Sequence, residues 1–211
     1  VYIPQGSFYA GDGTTMDIQR QFTAHNTTNP FQITSENQIT LGGTTSGNLG
    51  NNNNVGGETP EDFDNATTQI LPLSFPKGFK SFYCMKYEMT QEQYCEFLNC
   101  LTRVQQNTRT VVDISGTTIT LRYVISSSTV PNYRNGIKCD ANLPGGNIPI
   151  VMGCDLNNNE IYNEADDGQN VACNWLNWAD GTAYSDWAGL RPITELEYEK
   201  AGRGPLTPIA N

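Results

Sequence analysis

The sequence predicts an α+β fold class with short helices, small sheets and much irregular connection, on three observations. Three segments open with helix-capping signatures and carry apolar residues at helical spacing. Short stretches of alternating apolar residues lie before and between them. Long runs dominated by Asn, Thr and Gly separate both kinds of element. Strands and helices that follow one another without a regular βα repeat point to an α+β layer arrangement, not a wound parallel sheet.

The elements follow in chain order. VYIPQGSFYAGDG predicts a strand running into a Gly-Asp-Gly turn. From Thr34 to Thr68 few residues can offset the entropy of ordering, so a long surface loop is expected. GFKSFYCMKYEMT is expected to be extended, with Phe79, Tyr83, Met85 and Tyr87 on one side. Thr90 with Gln93 forms a capping box, and Met89 with Tyr94 a hydrophobic staple. The helix they start carries Tyr94, Phe97, Leu98 and Leu101 as one stripe. TVVDISGTTITLRYVIS reads as two strands joined near Ser115-Gly116. A second helix is expected from Asn177, with Asp180 in its first turn, a buried face of Ala183, Tyr184, Trp187 and Ala188, and Gly189 at its stop. A third begins at Thr194, capped with Glu197, stapled by Ile193 and Tyr198, and ended by Gly202 and Gly204.

A length of 211 residues can bury one real core, with room for a long insertion. Twelve basic against twenty-two acidic residues leave a net charge of −10, which opposes nucleic acid and anionic membrane surfaces as partners. No apolar run reaches the roughly 20 residues of a membrane span. No secretory leader is visible ahead of Val1, and the chain reads as processed or trimmed. Six cysteines without a CxxC pair, in an Asn/Thr/Gly-rich and Lys-poor background, point to an extracellular or cell-surface setting. Cys154 and Cys173 bracket an acidic Asn-rich segment and are the candidate disulfide. The alternative is free buried thiols, or pairing with cysteines elsewhere.

That bracketed segment, Asp155-Leu156-Asn157-Asn158-Asn159-Glu160-Ile161 through Asp166, is the candidate metal site. Asp155, Asn157 and Asn159 fall at loop positions 1, 3 and 5, the Ile161 carbonyl at 7 and Asp166 at 12, an all-oxygen set suited to Ca²⁺. Glu160 replaces the usual turn glycine, and Asp166 is shorter than the usual bidentate Glu. A solvated, Asx-stabilised loop is the competing reading.

The other constellations are bland. His25, the sole histidine, sits in AHNTTNP without a nucleophile signature and is expected in a surface loop. Asn26-Thr27-Thr28 and Asn65-Ala66-Thr67 match the short N-glycosylation pattern. The Gly/Thr-rich stretch from Gly42 to Gly50 lacks the lysine of a phosphate loop. Trp175, Trp178, Trp187 and Tyr184 could line a sugar-binding face, but are expected as core aromatics. Glu195, Glu197 and Glu199 do not share one helix face; one serves the cap, another pairs with Arg191 or Arg203.

Asn177-Trp178-Ala179-Asp180-Gly181-Thr182-Ala183-Tyr184, then Trp187-Ala188-Gly189-Leu190-Arg191, then Thr194-Glu195-Leu196-Glu197-Tyr198-Glu199-Lys200-Ala201 and Arg203-Gly204 together resemble the central signature of the formylglycine-generating enzyme, or sulfatase-modifying-factor, family. Ile3-Pro4-Gln5-Gly6-Ser7-Phe8 resembles that family's first strand, and Lys86 through Tyr94 its strand into the first helix. The resemblance implies a variant of the C-type-lectin-like fold. It also implies one domain over 1–211, incomplete at its C-terminal end, with insertions at about 12–75 and 105–170. Arg191-Pro192-Ile193-Thr194 departs from the family's usual Arg-Leu-Pro-Thr. In that family the copper-binding catalytic cysteine pair and the calcium ligands follow the Glu-rich helix, and no cysteine here matches them by motif, so no catalytic residue is carried over. Insert-rich versions resemble surface and secreted proteins of Bacteroidetes type.

The resulting expectation is a non-catalytic extracellular binding or structural protein, such as a surface-layer, adhesin or filament component. It would contact copies of itself, other surface proteins, or glycans. Two alternatives stand beside it: the N-terminal half of a copper-dependent oxidase acting on sulfatase cysteines, and a calcium-dependent glycan binder.

Overall fold

The computed structural model describes residues 1–11, 22–24, 29–43, 45, 47–51 and 67–209. His25, the Asn26 sequon, Asn65-Ala66 and the Asp12-Gly13 turn lie outside them. Packing divides the chain into two units: Val1–Lys86 with Ile193–Asn211, and Tyr87–Pro192.

In the first unit, β1 (Tyr2–Ile3) pairs antiparallel with β8 (Phe82–Tyr83), and β2 (Phe8–Ala10) with β4 (Phe31–Ile33). A four-stranded sheet has the order β3 (Phe22–Ala24), β6 (Leu49–Asn51), β5 (Ile39–Gly42), β7 (Thr68–Leu71), with only β5 and β6 parallel. The opening stretch is therefore two strands, not one, broken where Pro4 supplies no N–H. The region from Thr34 to Thr68 likewise departs from a plain loop. Ile39 and Leu41 alternate inward and Leu49 is fully buried, so even sparse apolar residues gain enough burial once the sheet supplies backbone partners. Gly11 turns the chain at φ +83°, where an added Cβ would lie 1.7 Å from the Phe22 carbonyl oxygen.

Helix α4 (Glu195–Arg203) covers β2 and buries Leu196 with Phe8, Ala10, Ile33 and Leu49. Thr194 and Glu197 form the expected capping box, and Glu199 pairs with Arg203 at 3.3 Å. Tyr198 of the expected staple is exposed, because the Lys200 side of the helix faces inward instead. Lys200 Nζ donates to the carbonyls of Pro4 (2.7 Å) and Gly78 (2.6 Å) and lies over the Phe8 ring. Burial pushes its pKa down. Strand β8 spans two residues only, and the expected apolar side carrying Tyr83, Met85 and Tyr87 is exposed.

In the second unit, α1 (Gln91–Asn99), α2 (Arg103–Asn107) and α3 (Trp178–Trp187) surround a single antiparallel pair, β9 (Ile137–Cys139) and β10 (Met152–Cys154). The capping box at Thr90/Gln93 forms as expected, and α3 starts after Asn177 as expected, with Asp180 completing a box there; the core gathers Tyr94, Phe97, Leu98, Ile114, Val124, Ile137, Ile150, Met152 and Tyr184. Helix α2 was not foreseen, although its Thr102/Gln105 box is the same signal. On α3 only Tyr184 of the expected buried aromatics lies inside; Trp187 and Ala188 are exposed.

The two strands expected over 110–126 do not form. Isolated backbone bonds, such as the Val111 N–H to the Val124 carbonyl, replace a regular ladder, and side chains take the bonds at Ile114 and Gly116. Arg103, itself buried, donates from Nε to the Ile114 carbonyl (2.7 Å) and from its guanidinium to those of Gly116 (2.9 Å) and Ile148 (3.0 Å). Asn107 Oδ1 accepts the Ile114 N–H. Amides also close the free edge of β10: Gln106 bonds both the N–H and the C=O of Ile150, Asn99 those of Met152, and Cys154 exchanges both bonds with Asn163.

Gln106→Leu keeps the volume but strands both polar groups of Ile150 in the core, while the Leu98 carbonyl keeps the Leu101 N–H. A loss of roughly 3 kcal/mol is expected, at about 1–3 kcal/mol per unpaired buried group with some relaxation. A lowered urea midpoint at unchanged m-value would report it; an unchanged midpoint would contradict the edge-closing role.

Candidate functional site

Strand β10 runs directly into the acidic loop, so the position of Asp155 is fixed by the sheet. Its N–H donates to the Gly136 carbonyl at 2.8 Å, continuing the ladder by one step. The carboxylate is fully buried and meets the Lys138 ammonium, also buried, at 2.5 Å. Lys138 Nζ further donates to Asn158 Oδ1 (3.0 Å) and Glu160 Oε1 (2.8 Å), and lies 5.1 Å from the Tyr123 ring centre. Tyr123 Oη donates to the same Asn158 oxygen at 2.8 Å. Arg122 pairs with Glu160 and, at 3.7 Å, with Asp140.

The sequence-predicted metal residues are brought together on the outer side of this core. Asp155 Oδ1 and Asn157 Oδ1 both accept the Asn159 N–H, Asn159 Oδ1 accepts the Ile161 N–H, and Asn157 Nδ2 donates to Asp166 Oδ1 at 3.1 Å. Oxygens from positions 1, 3, 5 and 12 thus share one loop, a donor chemistry that fits a hard cation. Among the described residues no group of three or more His, Cys, Asp or Glu side chains forms a metal-holding cluster. Sequence reasoning missed Lys138, an internal cation already neutralising Asp155. The buried Asp167 was also missed: its Oδ2 accepts the Glu164 N–H while its Oδ1 has no partner.

Lys138 and then Arg122 hydrogen-bond Glu160 and hold its carboxyl below the ordinary range. Burial pushes the Tyr123 hydroxyl upward, with the Asp155 charge adding to it, so the phenol stays a donor.

Beside the loop the surface is aromatic. The rings of Tyr133 and Trp175 lie 5.8 Å apart and tilted, exposed at 76% and 47%. Both residues hold positive φ, 47° and 64°, and Asn174 braces them: its Nδ2 donates to the Tyr133 carbonyl at 2.9 Å, while its Oδ1 accepts from Asn135. Trp178 and Trp187 are exposed as well, so the expectation of core aromatics holds for Tyr184 alone.

The thiols point the other way. Cys95, Cys139 and Cys154 are buried, Cys173 is half-buried against the same core, and Cys154 and Cys173 stand as separate thiols. Burial pushes Cys139 up to about 11 and Cys173 up to about 12. Contact with Cys154, then burial, lifts Cys95 well above its ordinary value.

A family model described as sulfatase-modifying factor enzyme 1-like domain matches residues 63–207. Comparison with curated proteins and with solved structures found no match to either.

Lys138→Met leaves Asp155 charged, buried and unpaired; breaking such a pair costs about 3–5 kcal/mol. Adding Asp155→Asn should recover part of that loss, as read by denaturant unfolding. Acid should act in the same direction. The carboxyl of Glu160 is depressed in the folded state, so its contribution is fully present above the unfolded value and lost as pH falls through the folded one. Glu160→Gln should therefore flatten the decline in stability between neutral pH and about pH 3.

Proposed function

Because the chain belongs to the sulfatase-modifying factor enzyme 1-like domain family, we propose that it uses this scaffold, a variant of the C-type-lectin-like fold, as a non-catalytic extracellular binding or assembly module. One observation carries this reading: the second unit leaves Tyr133, Trp175, Trp178 and Trp187 exposed, while every one of its thiols except Cys100 is wholly or partly buried. A contact surface gains most from rigid aromatic rings that need little ordering on binding. The braced Tyr133–Trp175 pair supplies them. Self-association or another surface protein is the partner that suits such a patch, with glycan stacking as the narrower variant.

The family's copper chemistry needs thiolates free to ligate a soft cation. Here burial holds Cys139 and Cys173 protonated, contact with Cys154 and then burial does the same for Cys95, and this donor set does not fit that role. The oxidase reading therefore draws on family membership alone, and no step through copper is derived. Calcium is a further proposal, for the outer face of the 155–166 loop. Asp155, Asn157, Asn159, the Ile161 carbonyl and Asp166 would hold it, and it would stiffen the loop.

Two measurements test these readings. Incubating the chain with a sulfatase cysteine peptide, copper and oxygen should yield no aldehyde; its appearance would overturn the non-catalytic reading. In sedimentation equilibrium and glycan-array binding, Tyr133→Ala with Trp175→Ala should weaken whatever association the wild type shows by at least tenfold. For calcium, titration should raise the melting temperature, and Asn157→Ala with Asp166→Ala should abolish that rise; a chain indifferent to calcium would refute the site.

A further inference from the structure

Helix α1 lies along β10 in a fixed register. Asn99 bonds both polar groups of Met152, and Gln91 Oε1 accepts the N–H of Gly136, whose carbonyl takes the Asp155 N–H. Cys95 falls midway, one turn from each amide. Four helical residues advance about 6 Å and two strand residues about 6.6 Å, so the turn that seats Asn99 at Met152 seats Cys95 at Cys154. Both are buried in the same core. The third sulfur arrives by a separate route: Thr90 bridges Ala172, and the Cys173 N–H donates to the Met89 carbonyl at 2.8 Å. That bond places Cys173 at the N-terminal end of α1, packed against the same core and only partly exposed.

We propose that Cys173, Cys154 and Cys95 form a thiol–disulfide relay that carries a two-electron oxidation from the partly exposed Cys173 to a buried cross-link between helix α1 and strand β10. The oxidant is a small disulfide such as oxidised glutathione. The Cys173 thiolate attacks one glutathione sulfur and expels the other glutathione as thiolate, which takes the proton. The Cys154 thiolate then attacks Cys173 Sγ, expels the second glutathione and forms Cys154–Cys173. Finally the Cys95 thiolate attacks Cys154 Sγ, and the departing Cys173 sulfur takes up the proton that Cys95 lost. Two protein thiols are oxidised, one oxidised glutathione becomes two reduced molecules, and Cys173 is regenerated.

The environment sets the pace. Thiolate is the attacking species, and Cys173 titrates near 12, so the first step is slow at neutral pH. Its rate should rise about tenfold per pH unit between pH 7 and 9, following the thiolate fraction. The result is a cross-link set once and kept, in contrast to a turnover catalyst.

The test oxidises the full chain with oxidised glutathione, quenches with acid and N-ethylmaleimide, and maps disulfides by peptide mass. The exposed Cys100 reports that the oxidant is active. In wild type, Cys154–Cys173 should appear first and Cys95–Cys154 should accumulate, with Cys173 alkylated. Cys154→Ala should stop at glutathionylated Cys173, Cys95→Ala should stop at Cys154–Cys173, and Cys173→Ser should oxidise at least tenfold more slowly. Wild type left with all three thiols alkylated, or ending at Cys154–Cys173, would overturn the relay. So would a Cys95–Cys173 bond in Cys154→Ala, or unchanged speed in Cys173→Ser. The wild-type map alone decides even if a variant folds poorly.

Discussion

The second unit depends on how the outer edge of β10 is closed. A two-stranded sheet leaves half of its backbone groups unpaired, and in a core each such group is costly. Residues 150, 152 and 154 turn those groups away from β9, and Gln106, Asn99 and Asn163 meet them in turn. An amide offers one donor and one acceptor at about the spacing of a peptide group, so each can replace one residue of a missing strand. The register of α1 against β10, the place of Asp155 and the meeting of Cys95 with Cys154 all follow from that edge.

Cations do comparable work where no amide is present. The chain is acidic overall, yet Lys77, Lys138, Lys200 and Arg103 are almost wholly buried. Lys77 Nζ donates to the Pro72 carbonyl, and its N–H donates to Glu36 at 2.7 Å. Lys200 and Arg103 collect carbonyls from chain that has no strand partner. A long irregular segment carries acceptors that must be satisfied, and an ammonium or guanidinium satisfies several at once. Such groups lower the cost of irregular backbone, which helps explain how so little regular strand supports this much buried chain.

Local physics made the helices legible: the boxes at Thr90/Gln93 and Thr194/Glu197 and the helix start at Asn177 each lie within four residues and could be read directly. Thr102/Gln105 escaped because the helix it starts is only five residues long and has no apolar stripe. The strands at 39–42 and 49–51 were illegible because their partners come from distant chain and their apolar residues are few. The stretch 110–126 misled for the opposite reason: its β-branched alternation suits a strand, but Arg103 claims the carbonyls of Ile114 and Gly116. The oxygens of the acidic loop were legible from spacing. Lys138 and Cys95 were not, since each reaches its partner only through the strand pairing or the helix register.

Left-handed backbone in the second unit concentrates beside the exposed rings and the acidic loop. Tyr133, Arg134, Asn158, Glu160, Asn163 and Trp175 all hold φ between 47° and 73°, at about 1–2 kcal/mol each for non-glycine residues. Such conformations persist only where surrounding bonds over-determine them. Asn174 to Tyr133, Lys138 to Asn158 and Glu160, and Asn163 to Cys154 are those bonds; the last two sets start from the β9–β10 pair, and Asn174 is tied to Asn135 just ahead of β9. Strain held this way is rigidity already established before any partner arrives. A ring pair fixed in advance loses little freedom on contact, so more of its burial appears as affinity. The amide-closed edge therefore extends beyond the core: it fixes the loops from which this unit presents its rings and its acids.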